Sequence, residues 1–182
     1  MTGLWNRLRD KMRDHMREDL CDLLNSMGVP AKLAEPGRPE ELITTDRGES
    51  LGLIELGGSP LRWVVVKRDF QNDRSLVYFE YGIPDDKINS YFGKARLVAT
   101  ELRASPLFGN VLAVKWVGSA PGSLAERLEA DEESMNLMLA NGGCTVEAHQ
   151  RSGCWIMTTH RSPTAPVFRA YLKVAAQLLA PV

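Results

Sequence analysis

The chain has 182 residues, 44% hydrophobic and 25% charged, with 22 bases against 23 acids for a formal net charge of −1. That length and composition predict one α+β domain over residues 1–182 with a self-sufficient core, and exclude a disordered chain. A pI near 6.3 disfavours nucleic acid as a partner, and the longest apolar runs, over residues 63–66 and 111–114, are too short for a membrane span.

The first element is an amphipathic helix over residues 1–28. Leu4, Leu8, Met12, Met16, Leu20, Leu23, Leu24 and Met27 recur at spacings of three and four, and Gly28 and Pro30 end the pattern. Its other faces carry interleaved arginines and aspartates, with His15 among them. Residues 29–50, with three prolines and five acids, read as a polar loop with a short strand near Leu42–Thr44. Strands follow at Leu51–Leu56, Leu61–Arg68 and Ser75–Tyr81; their short connections imply a three-stranded antiparallel meander.

From Pro84 the residues Ile88, Tyr91, Phe92, Ala95, Val98, Ala99 and Leu102 match a helical period, so a second helix is predicted up to Ser105-Pro106. Val111–Val117 is apolar on both faces and is expected to be a central strand. Ser123-Leu124-Ala125-Glu126 has the form of a capping box opening a third helix that stops at Asn141-Gly142-Gly143. A hairpin over 144–159 and a terminal helix after Ser162-Pro163 complete the order α-β-β-β-α-β-α-β-β-α, a mainly antiparallel sheet packed with about four helices.

The polar residues offer few groupings with catalytic or metal-binding spacing. Cys144, Glu147, His149, Cys154 and His160 are the densest set of metal-ligand types. A turn at Arg151-Ser152 would set His149 opposite Cys154 and Glu147 opposite Ile156, with Cys144 on the other face, so the set divides. The three cysteines form no C-x-x-C pair and are expected as reduced thiols in a cytoplasmic protein; no secretory signal precedes them. No phosphate-binding loop or nucleophile elbow has the required spacing, so no cofactor is expected. Asp85 and Asp86 sit where a helix start wants capping oxygens. Trp63, Trp116 and Trp155 fall within strands and are expected in the core.

The order of the first six elements is similar to the core of restriction-endonuclease-like nucleases. That family carries an acid-x-lysine triplet on its third strand; here the position offers Glu80-Tyr81-Gly82, and Lys67 on the second strand has Val65 two places before it, where the triplet has its acid. The same elements with the last hairpin and helix resemble the layout of small dimeric secretion-chaperone-like domains. Two functions follow as expectations. The first is a non-enzymatic protein-binding, adaptor or chaperone-like protein, working as a homodimer, with Leu4, Trp5, Leu8, Met12 and Met16 as interface residues. The second is a metal-dependent hydrolase or nuclease drawing on the scattered acids Asp69, Glu80, Asp85 and Asp86, with Lys67.

Charge is regional. Residues 121–150 hold six acids against one base, and 151–182 hold four bases and no acid, so these segments are expected to pair within the chain or between copies.

Overall fold

The computed structural model describes residues 15–43, 48–58, 60–71, 74–88, 95–103, 111–120 and 122–181. Its order is α1 (residues 15–26), β1 (Ala31–Leu33), β2 (Glu49–Leu56), β3 (Trp63–Gln71), β4 (Arg74–Pro84), β5 (Arg96–Arg103), β6 (Val111–Ser119), α2 (Leu124–Glu129), α3 (Glu132–Ala140), β7 (Cys144–His149), β8 (Cys154–Thr159) and α4 (Ala165–Leu179). The class is α+β. All eight strands join one antiparallel sheet in the order β1-β2-β3-β4-β8-β7-β5-β6.

Strand alternation sorts the side chains onto two faces. One face presents Ile54, Val64, Val66, Phe79, Tyr81, Met157, Trp155, Val146, Leu97, Ala99 and Trp116, and it packs with Leu20 and Leu24 of α1, Leu124 and Leu128 of α2, Met135 and Met138 of α3, and Phe168 and Tyr171 of α4. Tyr81 meets Tyr171 with ring centroids 5.4 Å apart. The other face carries a smaller cluster of Ala34, Leu53, Trp63, Val65, Cys154 and Ile156, with Ile43 packed on it. Among the described residues no α-helix contributes to that cluster; the chain that follows β1, with a 3-10 turn over Pro39–Leu42, supplies the cover.

Two glycines permit these approaches. Gly82 lies under the Trp63 indole, where a Cβ would come within 2.0 Å of the ring. Gly52, at φ +125 in a bulge of β2, leaves space for Arg17, which donates from Nη1 to the Ala34 carbonyl at 3.3 Å.

The meander and the terminal hairpin match expectation, including the His149↔Cys154 and Glu147↔Ile156 pairs. Four details differ. Residues 96–103 form strand β5, not the second half of a helix; Tyr91 and Phe92 lie outside the described residues. Leu97 and Ala99 face the core while Arg96 and Thr100 are exposed, so a period of two fits this short run as well as a helical one, and pairing with β6 and β7 decides it. The third helix is two, because Asp131 leaves helical geometry (φ −100, ψ 74) and caps α3 through its acceptance from the Ser134 amide at 3.1 Å. Ser123 makes no side-chain cap. β6 is an edge strand with Val117 57% exposed, not a central one. The strand of the polar loop falls at Ala31–Leu33 rather than near Leu42, where the 3-10 turn lies.

Candidate functional site

The antiparallel register brings the C-terminal end of β2, the start of β3, the end of β4 and the start of β8 to one end of the sheet, through the pairs Glu55↔Trp63, Trp63↔Gly82 and Pro84↔Cys154. A groove of about 750 Å³ crosses these four strand ends on the face that carries no helix among the described residues. That volume falls within the range of ordinary ligand sites.

Pro39, Ile43 and Pro84 give the groove its accessible apolar lining, over Leu53, Trp63 and Cys154, which are buried beneath it. The Trp63 indole is held flat by the missing side chain of Gly82, so its position is set by packing on a rigid strand. Burial pushes the Cys154 thiol pKa up; the Glu40 charge adds to this and the contact with Ser152 opposes it. Cys154 therefore packs as a protonated, weakly polar group and not as a thiolate nucleophile.

Three arginines line the same groove, Arg38, Arg62 and Arg151. Arg38 is compensated, with its guanidinium 3.3 Å from Glu40 and 3.7 Å from Glu55. Arg62 and Arg151 are exposed, and among the described residues neither forms an ion pair. Glu41 anchors the wall: it is buried, accepts from the Gly37 and Arg38 amides at 3.1 and 3.3 Å, and accepts from Ser50 Oγ of β2 at 2.7 Å.

The acids and lysine singled out in the sequence take other positions. Lys67 of β3 and Glu80 of β4 lie diagonally across the ladder on the helix-free face, and Lys67 Nζ is 3.0 Å from Glu80 Oε2 with both side chains almost fully buried. Asp69 lies further along the same strand and face, opposite Leu76. Asp85 is buried; its Oδ1 accepts from the Lys87 amide at 2.9 Å and its Oδ2 from the Trp155 indole at 3.0 Å. Asp86 is exposed. Among the described residues no three His, Cys, Asp or Glu side chains gather as metal ligands. Register puts Cys144 on the helix-covered face, opposite in direction to His149 and Cys154.

Of the expected interface residues, Leu4, Trp5, Leu8 and Met12 lie outside the described residues. Met16 is half-buried against the main core, and its sulfur receives the Arg68 guanidinium at 3.6 Å. The acidic segment pairs within the chain: Lys173 of α4 lies 3.4 Å from Asp131 and 3.6 Å from Glu133. His15 sits on the solvated side of α1, 3.1 Å from Asp19. Trp63, Trp116 and Trp155 are buried as expected.

Reading the sequence alone does not find Arg38, Arg62 and Arg151 as a group, since they come from three segments with no shared motif. Among the described residues no helix is long and apolar enough to cross a membrane. No protein-family profile matches the chain, and no curated protein or solved structure matches it.

Proposed function

We propose that this protein is a non-enzymatic binding or adaptor protein that holds a segment of a protein partner in the groove across the strand ends. The observation that carries this reading is the groove itself: an apolar lining on the strand ends, flanked by two exposed arginines that form no ion pair among the described residues. Concave sites with an apolar bed and a few placed polar groups are the usual form of a recognition surface. The competing reading, a metal-dependent hydrolase, asks Lys67, Asp69 and Glu80 to face a shared metal and water. Lys67 and Glu80 are engaged with each other and withdrawn from solvent, which supports a structural role for that pair.

Self-association into a homodimer belongs to the same proposal, resting on the apolar stripe of Leu4, Trp5, Leu8, Met12 and Met16. Photocrosslinking in the protein's native cells tests the reading. With benzoylphenylalanine in place of Pro39 or Pro84, uncharged and exposed residues of the groove, adducts are expected; in place of Arg169, on the exposed side of α4, none. Adducts of twice the chain's mass would make the partner a second copy. No adducts from the groove positions, or equal adducts from Arg169, would overturn the proposal.

A further inference from the structure

The charges around the groove are unevenly distributed. At the β2 end Arg38 is closed off by Glu40 and Glu55. Arg62, at the entry to β3, and Arg151, in the turn before β8, face the groove without a carboxylate partner among the described residues. Between them lie Trp63, Pro84 and Cys154.

Size adds a second constraint. The groove crosses β2, β3, β4 and β8, three inter-strand gaps. At about 4.8 Å per gap this is roughly 14 Å, the reach of about four residues of extended peptide. An occupant of that length meets the apolar bed in its middle and the arginines beside it. A guanidinium is a planar fork suited to a carboxylate, and such a charge-assisted pair is stronger than one between neutral groups.

Building on the binding reading above, we infer that the groove takes a short acidic segment of a partner protein, with an aliphatic or aromatic side chain set against Ile43 and Pro84 beside the Trp63 edge and carboxylates reaching Arg62 and Arg151. The apolar side chain supplies burial, and the carboxylates select the segment and its direction.

Fluorescence anisotropy on the full chain tests this with fluorescein-labelled hexapeptides. The probe is Gly-Glu-Leu-Trp-Glu-Gly. Its comparators carry glutamine for glutamate, or two alanines for Leu-Trp. Saturable binding of the first is expected, weakened roughly tenfold or more in each comparator and in the Arg62→Glu/Arg151→Glu double variant, and unchanged in Arg169→Glu. Arg62, Arg151 and Arg169 are all exposed, so both variants keep the wild-type melting temperature, which is measured alongside. Equal binding of the glutamine peptide, equal binding by the double variant, or no binding of any peptide up to about 1 mM overturns the inference. So does equal affinity for indole-3-acetate, which would make the occupant a small carboxylate. The crosslinking experiment is indifferent to charge. Groove crosslinks together with a failed peptide series would therefore reject only the acidic chemistry, whereas absent crosslinks would reject the binding reading itself.

Discussion

The two faces of the sheet are made by the same strands, but they bury different chemistry. On the helix-covered face the packed groups are mostly apolar and aromatic, with the Asp85 carboxylate accepting from the Trp155 indole and the Arg68 guanidinium set against the Met16 sulfur. The helix-free face mixes Trp63, Val65 and Ile156 with the Lys67–Glu80 pair and the Glu41–Ser50 hydrogen bond. Its strands also carry Leu76 and Val117, two of the large apolar side chains that remain exposed among the described residues. Among the described residues, one face is closed by four helices, and the other is closed in part by a loop and opens into the groove. A face that seals a lysine–glutamate pair from solvent and leaves Leu76 and Val117 in water is not shaped by stability alone.

Substitutions on the two faces turn this contrast into measurable differences. The largest effect is expected at the buried ion pair. Lys67→Met removes the ammonium that faces Glu80 in a dry environment and is expected to cost about 3–5 kcal/mol in denaturant unfolding, whereas Lys67→Met/Glu80→Leu recovers most of that loss. A double variant as unstable as the single one would mean that the pair's contribution lies in its other contacts.

Next comes Gly82→Ala, whose new methyl group meets the Trp63 ring and is expected to cost about 1–3 kcal/mol. The same change moves the indole, so the groove is altered with it. On the covered face Trp155→Phe removes the donor to Asp85 and is expected to cost about 1–3 kcal/mol, as a buried carboxylate oxygen loses its partner. An unfolding midpoint unchanged by Trp155→Phe would show that Asp85 is satisfied by other means.

The smallest effect concerns pH. Burial alone would raise the Asp131 carboxyl, but hydrogen bonds from the Ser134 hydroxyl and amide, with Lys173 nearby, hold it below its ordinary value. A depressed folded-state pKa gives stability that is present above the unfolded value, about 3.9, and is lost as pH falls through the folded one. Asp131→Asn is therefore expected to flatten the acid limb of the stability curve below about pH 4, by a modest amount because Lys173 is half-exposed and screened. An acid limb identical in both proteins would remove Asp131 from the account.

Much of this fold was legible in local pattern. The meander and the 144–159 hairpin follow from alternating strands with short turns, and the hairpin register came out to the residue because a short turn leaves little choice. Pattern does not decide the run at 96–103, because Ala95, Val98, Ala99 and Leu102 satisfy a helical period, and only contact with β6 and β7 shows which periodicity prevails. Lys67 and Glu80 were singled out one at a time. Their pairing was recoverable in principle, since the Gln71↔Arg74 end of the β3–β4 ladder sets them diagonally adjacent. The groove was not, because residues 38–43, 53–56, 62–63, 84 and 151–154 meet only when the sheet is assembled.

The tryptophans provide the most direct test, since Trp63 reports on the helix-free face and Trp116 and Trp155 on the covered one. In a nitrogen-15 spectrum of the full chain titrated with Gly-Glu-Leu-Trp-Glu-Gly, the account predicts that the indole signal of Trp63 moves while those of Trp116 and Trp155 stay in place, and that Arg62→Glu/Arg151→Glu abolishes the movement. Movement of Trp116 or Trp155 with Trp63 unchanged, or a Trp63 response that persists in the double variant, would contradict it.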